Sequence, residues 1–298
     1  MVEYNKTLRM HVAGIIPTTG QKLDYGFPWP DCFQPIDKNL LAIEKSVIEC
    51  AAVGCTSIWI IASRDILPLL QHRLGEGVRN LFNYGNNDNN TFIAGRKYNI
   101  PIYYVPTRPK DKNTNETVVW NSLYCAKRVR SVGKSLSNWF KPLVYYFSFP
   151  YGIFPIESLK NQRERILSLE RTTLSYNGRS VKTGDFLPCV LPERDLLWLL
   201  KSYRKKSIST LSEQSYKNIP LEQRTFNNIL SLKDVFGELP SDDKETIIEV
   251  PWFHDVSTWE GLRNYYSSKD KFDFPVEKCK DVFMQPKLWY GVGDISNE

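Results

Sequence analysis

Apolar and polar positions alternate between two periods along the first half of the chain. HVAGIIP (11–17) is a short apolar run closed by a turn signal and reads as a buried strand. KNLLAIEKSVIECAAVG (38–54) follows with Leu40, Ile43, Val47 and Ala51 at helical spacing and Gly54 as a C-terminal stop. TSIWIIAS (56–63) is a second strand, rich in β-branched and aromatic residues. DILPLLQHRLGEG (65–77) is a second helix with Pro68 in its first turn, where a missing N–H costs little. IPIYYVP (100–106) is a third strand. A helix over 115–130, with Val118, Ser122, Ala126 and Val129 on one face, leads to a fourth strand, KPLVYYFSFP (141–150).

This alternation predicts an α/β fold: a three-layer, Rossmann-like, mostly parallel sheet flanked by helices, with right-handed crossovers. Polar loops are expected at 83–91 and 108–115, and helix over 158–171. An Asn-Gly turn and a strand fall in 176–192, and a helix with a Leu/Trp face and a basic end in 193–207. Residues 246–268 read as strand, turn and helix, and the aromatic-rich end of the chain shows little pattern. The expected organisation is a core over 1–192, a helical and loop excursion over 193–245, and a C-terminal segment, 246–298, that returns to the core.

Net charge is +6 with no block of five or more like charges, so an anionic partner is permitted but not demanded. KSYRKKS (201–207) reads more simply as a basic helix end than as a nucleic-acid contact. No apolar run reaches membrane-spanning length and no secretory leader is evident at the N-terminus. Cys32, Cys50, Cys55, Cys125, Cys189 and Cys279 are scattered without a C-x-x-C, which suits reduced thiols in a cytoplasmic setting. Only three histidines are present, too few for a His-rich metal site.

Ligands of doubly wound sheets sit at the carboxyl ends of the strands. There, after the first strand, stands PTTGQKLDYGFPWPDCFQPI (17–36). Pro17, Thr18, Thr19 and Gly20, then Pro30, then Pro35-Ile36, then a helix ending ECAAVG before SIWII, resemble the sugar-nucleotide pyrophosphorylases. Those are nucleotidyltransferases with a GT-A-like fold, opening with A-A-G-x-G-T-R and P-K-x-x-x-P. KPLVYYF resembles their metal-aspartate strand, and WFHDVSTWEGL their late W-x-D-(I/V)-G-T segment. VKTGDFLP is similar to their T-G-x-Y strand.

The resemblance implies a site from which most of the chemistry is gone. Nucleotidyl transfer needs glycine-lined approach to phosphates, cations to clamp them and a carboxylate-held metal. The second glycine of the motif falls at Lys22, the threonine at Leu23, the arginine at Asp24 and the lysine at Asp31. The base-reading glutamine falls near Pro106. The metal aspartate falls at Phe149, and no Asp or Glu lies between Trp139 and Pro155. Asp255 stands where the second metal ligand is implied, with Ser257 in place of Gly. What remains as candidate phosphate-binding residues is Thr18, Thr19, Gly20, Gln21 and Lys22, with Asp255 for Mg2+ if the protein is active. The plainer readings are a strand-to-helix turn for 18–20, a turn or helix-start acid for Asp255, a packed ring for His254 and a small core residue for Cys55.

The expectation is a nucleotidyltransferase-like protein without catalysis, serving as a binding, structural or assembly component. It would still be open to a nucleotide or nucleotide sugar, with Tyr25, Phe27, Trp29 and Phe33 filling or covering the emptied pocket and a partner protein meeting residues 24–36. The rival is an active sugar-1-phosphate nucleotidyltransferase with an atypical site. A GT-A-like glycosyltransferase would want a D-x-D after a central strand, and none follows the fourth.

Overall fold

The computed structural model describes residues 11–21, 23–79, 99–108, 117–136, 141–166, 168–208, 230–240, 244–272 and 283–284. Lys22, Cys279, the loop expected at 83–91 and nearly all of that at 108–115 lie outside the described residues, as do 209–229 of the excursion.

The apolar runs form the centre of one ten-stranded sheet. Strand β1 (Val12–Pro17) is buried along its whole length, as its unbroken apolar sequence requires. Two short strands, β2 (Pro35–Asp37) and β3 (Leu40–Leu41), form a separate hairpin before helix α1 (Ala42–Val53). Strand β4 (Ser57–Ala62), helix α2 (Leu67–Leu74), β5 (Gly77–Arg79) and β6 (Asn99–Pro106) follow. Helix α3 (Val118–Leu136) leads into β7 (Val144–Phe147), and β1, β4, β6 and β7 run parallel. The short β8 (Gly152–Ile153) stands off the main sheet, and helices α4 (Glu157–Lys160) and α5 (Arg163–Ile166) lead to β9 (Thr172–Tyr176).

Beyond β7 the sheet changes sense. The hairpin of β9 and β10 (Arg179–Ser180) turns through Asn177 and Gly178, both at positive φ as an Asn-Gly turn requires. Strand β11 (Cys189–Pro192) is antiparallel to both β7 and β9. Helix α6 (Glu193–Ile208) packs against α3, and helix α7 (Leu232–Phe236) against both. Strand β12 (Thr246–Glu249) then pairs in parallel with β9. The chain ends, among the described residues, with β13 (His254–Asp255) on β8, helix α8 (Trp259–Ser267) and β14 (Phe283–Met284) on β5.

Two expectations are revised. The first helix begins at Ala42, not Lys38, because Lys38-Asn39 turns the β2–β3 hairpin and Leu40 is buried from a strand. The single helix expected over 158–171 is two short ones separated by a turn at Asn161-Gln162. The mostly parallel sheet is as expected: β1, β4, β6 and β7 are parallel at its centre and β12 is parallel to β9, while β5, β10, β11 and β14 pair antiparallel. The face predicted for α3 holds: Val118, Ser122, Ala126 and Val129 are all buried.

Candidate functional site

Three segments converge at the carboxyl ends of β1 and β7: the loop 18–36, the turn 148–153 and residues 254–259. Their meeting is fixed by direct contacts. Tyr25 Oη donates to the Val256 carbonyl at 2.5 Å, Asp24 Oδ1 accepts from the Trp259 amide at 2.6 Å, and Asp255 lies opposite Gly152 in the β8–β13 pair.

The loop's first residues are occupied by the fold itself. Thr18 donates both its amide (3.0 Å) and its hydroxyl (2.8 Å) to the Ile61 carbonyl at the end of β4. Thr19 accepts from Asn121 of α3 at its hydroxyl (2.9 Å) and its carbonyl (3.0 Å). Gly20 has φ of 95° and lies so close to the start of α3 that a Cβ there would come within 2.4 Å of the Thr117 carbonyl carbon. Only glycine fits. The close approach this glycine permits is thus to the first turn of a helix. Gln21 is half-buried, and Lys22 lies outside the described residues.

The two acids that stand where the resemblance implies Arg and Lys both accept backbone hydrogens. Asp24 takes the first amide of α8, a place where a helix N-terminus favours negative charge, while Thr258 Oγ1 accepts from Gly261 as the cap. Asp31 starts a single 3-10 turn over Asp31–Phe33 and accepts from the Leu23 amide; burial raises its pKa and that hydrogen bond opposes the rise. Burial, followed by the nearby charge of Asp24, pushes the Tyr25 hydroxyl far above its ordinary range and keeps it a neutral donor.

The turn after β7 is held from beneath by Lys45 of α1. Its ammonium is fully buried and donates to Glu49 Oε2 (2.8 Å), the Phe149 carbonyl (3.0 Å) and the Gly152 carbonyl (2.6 Å). Glu49 in turn accepts from Tyr146 Oη at 2.5 Å. Every donor of the Lys45 ammonium is therefore used, and both charges are satisfied inside the core. Above the turn, Phe149 and Tyr151 pack on Phe186 at 5.9 and 5.8 Å between ring centroids, and all three are buried. The position where the resemblance implies a metal aspartate is thus an aromatic side chain inside a cluster of rings.

Asp255 is mostly buried, which raises its pKa, while hydrogen bonds from Ser257 oppose the rise. Its Oδ1 accepts from the Ser257 amide at 2.9 Å. Among the described residues no group of three or more His, Cys, Asp or Glu is placed to hold a metal ion. The turn after β7 offers Asp255 no partner ligand: Phe149 supplies no oxygen from its side chain, and its carbonyl accepts from Lys45. Neighbouring His254 faces Asp270 at 3.0 Å and packs between Trp252 and Tyr265.

Of the aromatics expected to fill the pocket, Tyr25 is buried and Phe33 partly so, but Phe27 and Trp29 point outward, 37% and 38% exposed. They stack on one another at 4.5 Å, and Phe27 stands 6.4 Å from Trp259 of α8. With Pro35, Arg263 and Tyr266 they line an open groove of about 320 Å³. Tyr266 closes its far side by donating to the Pro35 carbonyl at 2.6 Å.

The architecture has solved counterparts. A Bacillus anthracis protein described as a glucose-1-phosphate thymidylyltransferase, in complex with sucrose, superposes with a TM-score of 0.52, at 11% identity, over 89% of this chain and 99% of its own. The chain has a nucleotidyltransferase-like fold. Rv0371c of Mycobacterium tuberculosis aligns over 87% of this chain and 98% of its own, at 10% identity and a TM-score of 0.44. No family model matches the sequence, and no curated protein matches it.

Sequence reasoning missed Lys45 and Glu49, which spaced four apart on a helix look like a solvent-facing ion pair. The available signal was composition: α1 carries only three charges among twelve residues, and all twelve are buried.

Proposed function

We propose that this chain is a nucleotidyltransferase-like protein without nucleotidyl transfer, acting as a binding or assembly component through the aromatic groove between residues 27–35 and α8. The observation that carries this reading is the reuse of the strand ends. Asp24 holds α8, Lys45 holds the Phe149–Gly152 turn, and Phe149, Tyr151 and Phe186 pack where a metal would stand. An anion near a triphosphate repels where a cation would attract, a loss of several kcal/mol for each desolvated contact, and about 1.4 kcal/mol is tenfold in rate. A nucleotide or nucleotide sugar remains a candidate ligand of the cleft without transfer, although Thr18 and Thr19 spend their hydroxyls on Ile61 and Asn121 and Gly20 packs on the start of α3. The likeness to the thymidylyltransferase-like structure supports the cleft's ancestry, and the groove's exposed rings support a partner surface.

Calorimetry with each nucleoside triphosphate and Mg2+, with and without sugar 1-phosphates, tests this together with a pyrophosphate-release assay. No metal-dependent turnover is expected. Release of pyrophosphate that Asp255→Ala abolishes would overturn the proposal and establish the atypical enzyme instead. For the groove, a Trp259→Ala, Phe27→Ala chain should lose any partner or self-association of the unaltered protein; a monomer with no partner removes the assembly role.

A further inference from the structure

Two basic stretches distant in sequence lie side by side where α3 meets α6. Lys127 and Arg130 of α3 and Lys201 and Arg204 of α6 rim a groove of about 240 Å³ whose remaining lining residues are Leu197 and Leu200. No acid is among the described lining residues. Glu193, at one end, is paired with Arg130 (2.6 Å) and Lys141. Burial, and then the charges of Arg204, Arg108 and Arg128, push the Lys127 pKa down, so the cations of this face repel one another. Arg108 extends the strip, its guanidinium 5.0 Å from the ring centres of Trp120 and Tyr124 one and two turns along α3.

The groove's chemistry selects among anions. It is smaller than the roughly 300–1,000 Å³ of small-molecule pockets, so it seats a side chain or two. Its floor is aliphatic, with Leu197 41% exposed. Single-stranded nucleic acid wants open aromatic faces, whereas Trp120 here is stacked on Tyr203 at 5.2 Å and covered by Arg108. Apolar seats between rows of cations suit an amphipathic acidic helix.

We propose that the α3–α6 groove docks an acidic helical segment of a partner protein. It would set leucine-like side chains on Leu197 and Leu200 and carboxylates against Lys127, Lys201 and Arg204.

The test is fluorescence anisotropy of the full chain with a labelled peptide of about 16 residues, Glu-rich with Leu at helical spacing. Saturable binding is expected, weakening with added salt and falling about tenfold or more in Lys127→Glu, Arg204→Glu. Leu197→Asp should weaken it too, with circular dichroism confirming that each variant is folded. Absence of saturable binding at low salt would overturn the proposal. So would a Leu-free poly-Glu peptide that binds equally well and ignores Leu197→Asp. An RNA of about 20 nucleotides that binds more tightly than the peptide and is released by the same charge reversals would reassign the face to nucleic acid.

Discussion

The loop after β1 and the turn after β7 sit side by side at the carboxyl end of the parallel strands, and each is fastened by a charge. They differ in where the charge is. Asp24 works at the surface, accepting one amide at the start of α8 in contact with water. Lys45 works in the core, at 0% exposure, with its partner Glu49 equally enclosed. Surface capping is worth about 1 kcal/mol, whereas a buried charge deprived of its partner costs several. The first fastening is adjustable; the second is a commitment of the whole core.

That contrast can be broken at its strong end first. Lys45→Met leaves Glu49 buried without its cation and frees the Phe149 and Gly152 carbonyls, so a loss of about 3–5 kcal/mol is expected by urea unfolding. Adding Glu49→Leu should restore part of it; a double variant as unstable as the single would show that the carbonyl tethers outweigh the ion pair. Next comes Gly152→Ala. Its Cβ would fall 1.8 Å from the Phe186 carbonyl oxygen, so β8 must shift, at a cost of about 1–3 kcal/mol in the same assay. At the weak end, Asp24→Ala should cost about 0.5–1 kcal/mol. Asp24→Arg, which supplies the charge that the resemblance implies at this position, should cost more and gain no triphosphate binding by calorimetry.

The smallest effect concerns pH. Burial raises the folded-state pKa of Asp255, so the folded chain holds a proton there that the unfolded chain has released. Stability from this group is present below the unfolded value near 4 and declines as pH rises through the higher folded value. Asp255→Asn, which keeps an oxygen for the Ser257 amide, should flatten that decline in thermal melts and leave neutral-pH stability equal or slightly higher. A steeper decline in the variant would place the cause elsewhere.

Strands β1, β4 and β7 were readable because each is a near-continuous apolar run, the mark of a strand buried on both faces, while β6 was read from the same kind of run although its exposure alternates and Tyr103 is 45% exposed. Short pieces were not. Strands β2, β3, β8 and β13 have two or three residues each, too few to show a period, and are set by what they pair with. The candidate site was legible only through the resemblance, which implies Arg, Lys and a metal aspartate where Asp24, Asp31 and Phe149 stand. What they do instead was not legible, since Asp24 serves a helix 235 residues away and the Phe149 carbonyl a lysine 104 residues earlier. Nor did KSYRKKS alone reveal a groove, because its other wall is α3.

The aromatic groove is built from both ends of the described chain. Phe27, Trp29 and Pro35 form one bank and Trp259 and Tyr266 the other, joined by a hydrogen bond spanning 231 residues. Contacts so distant form late, after the costly closure of long loops. A chain still being synthesised, or cut before α8, has only half of this surface. The proposed partner surface would therefore exist only in molecules that have folded from one bank to the other.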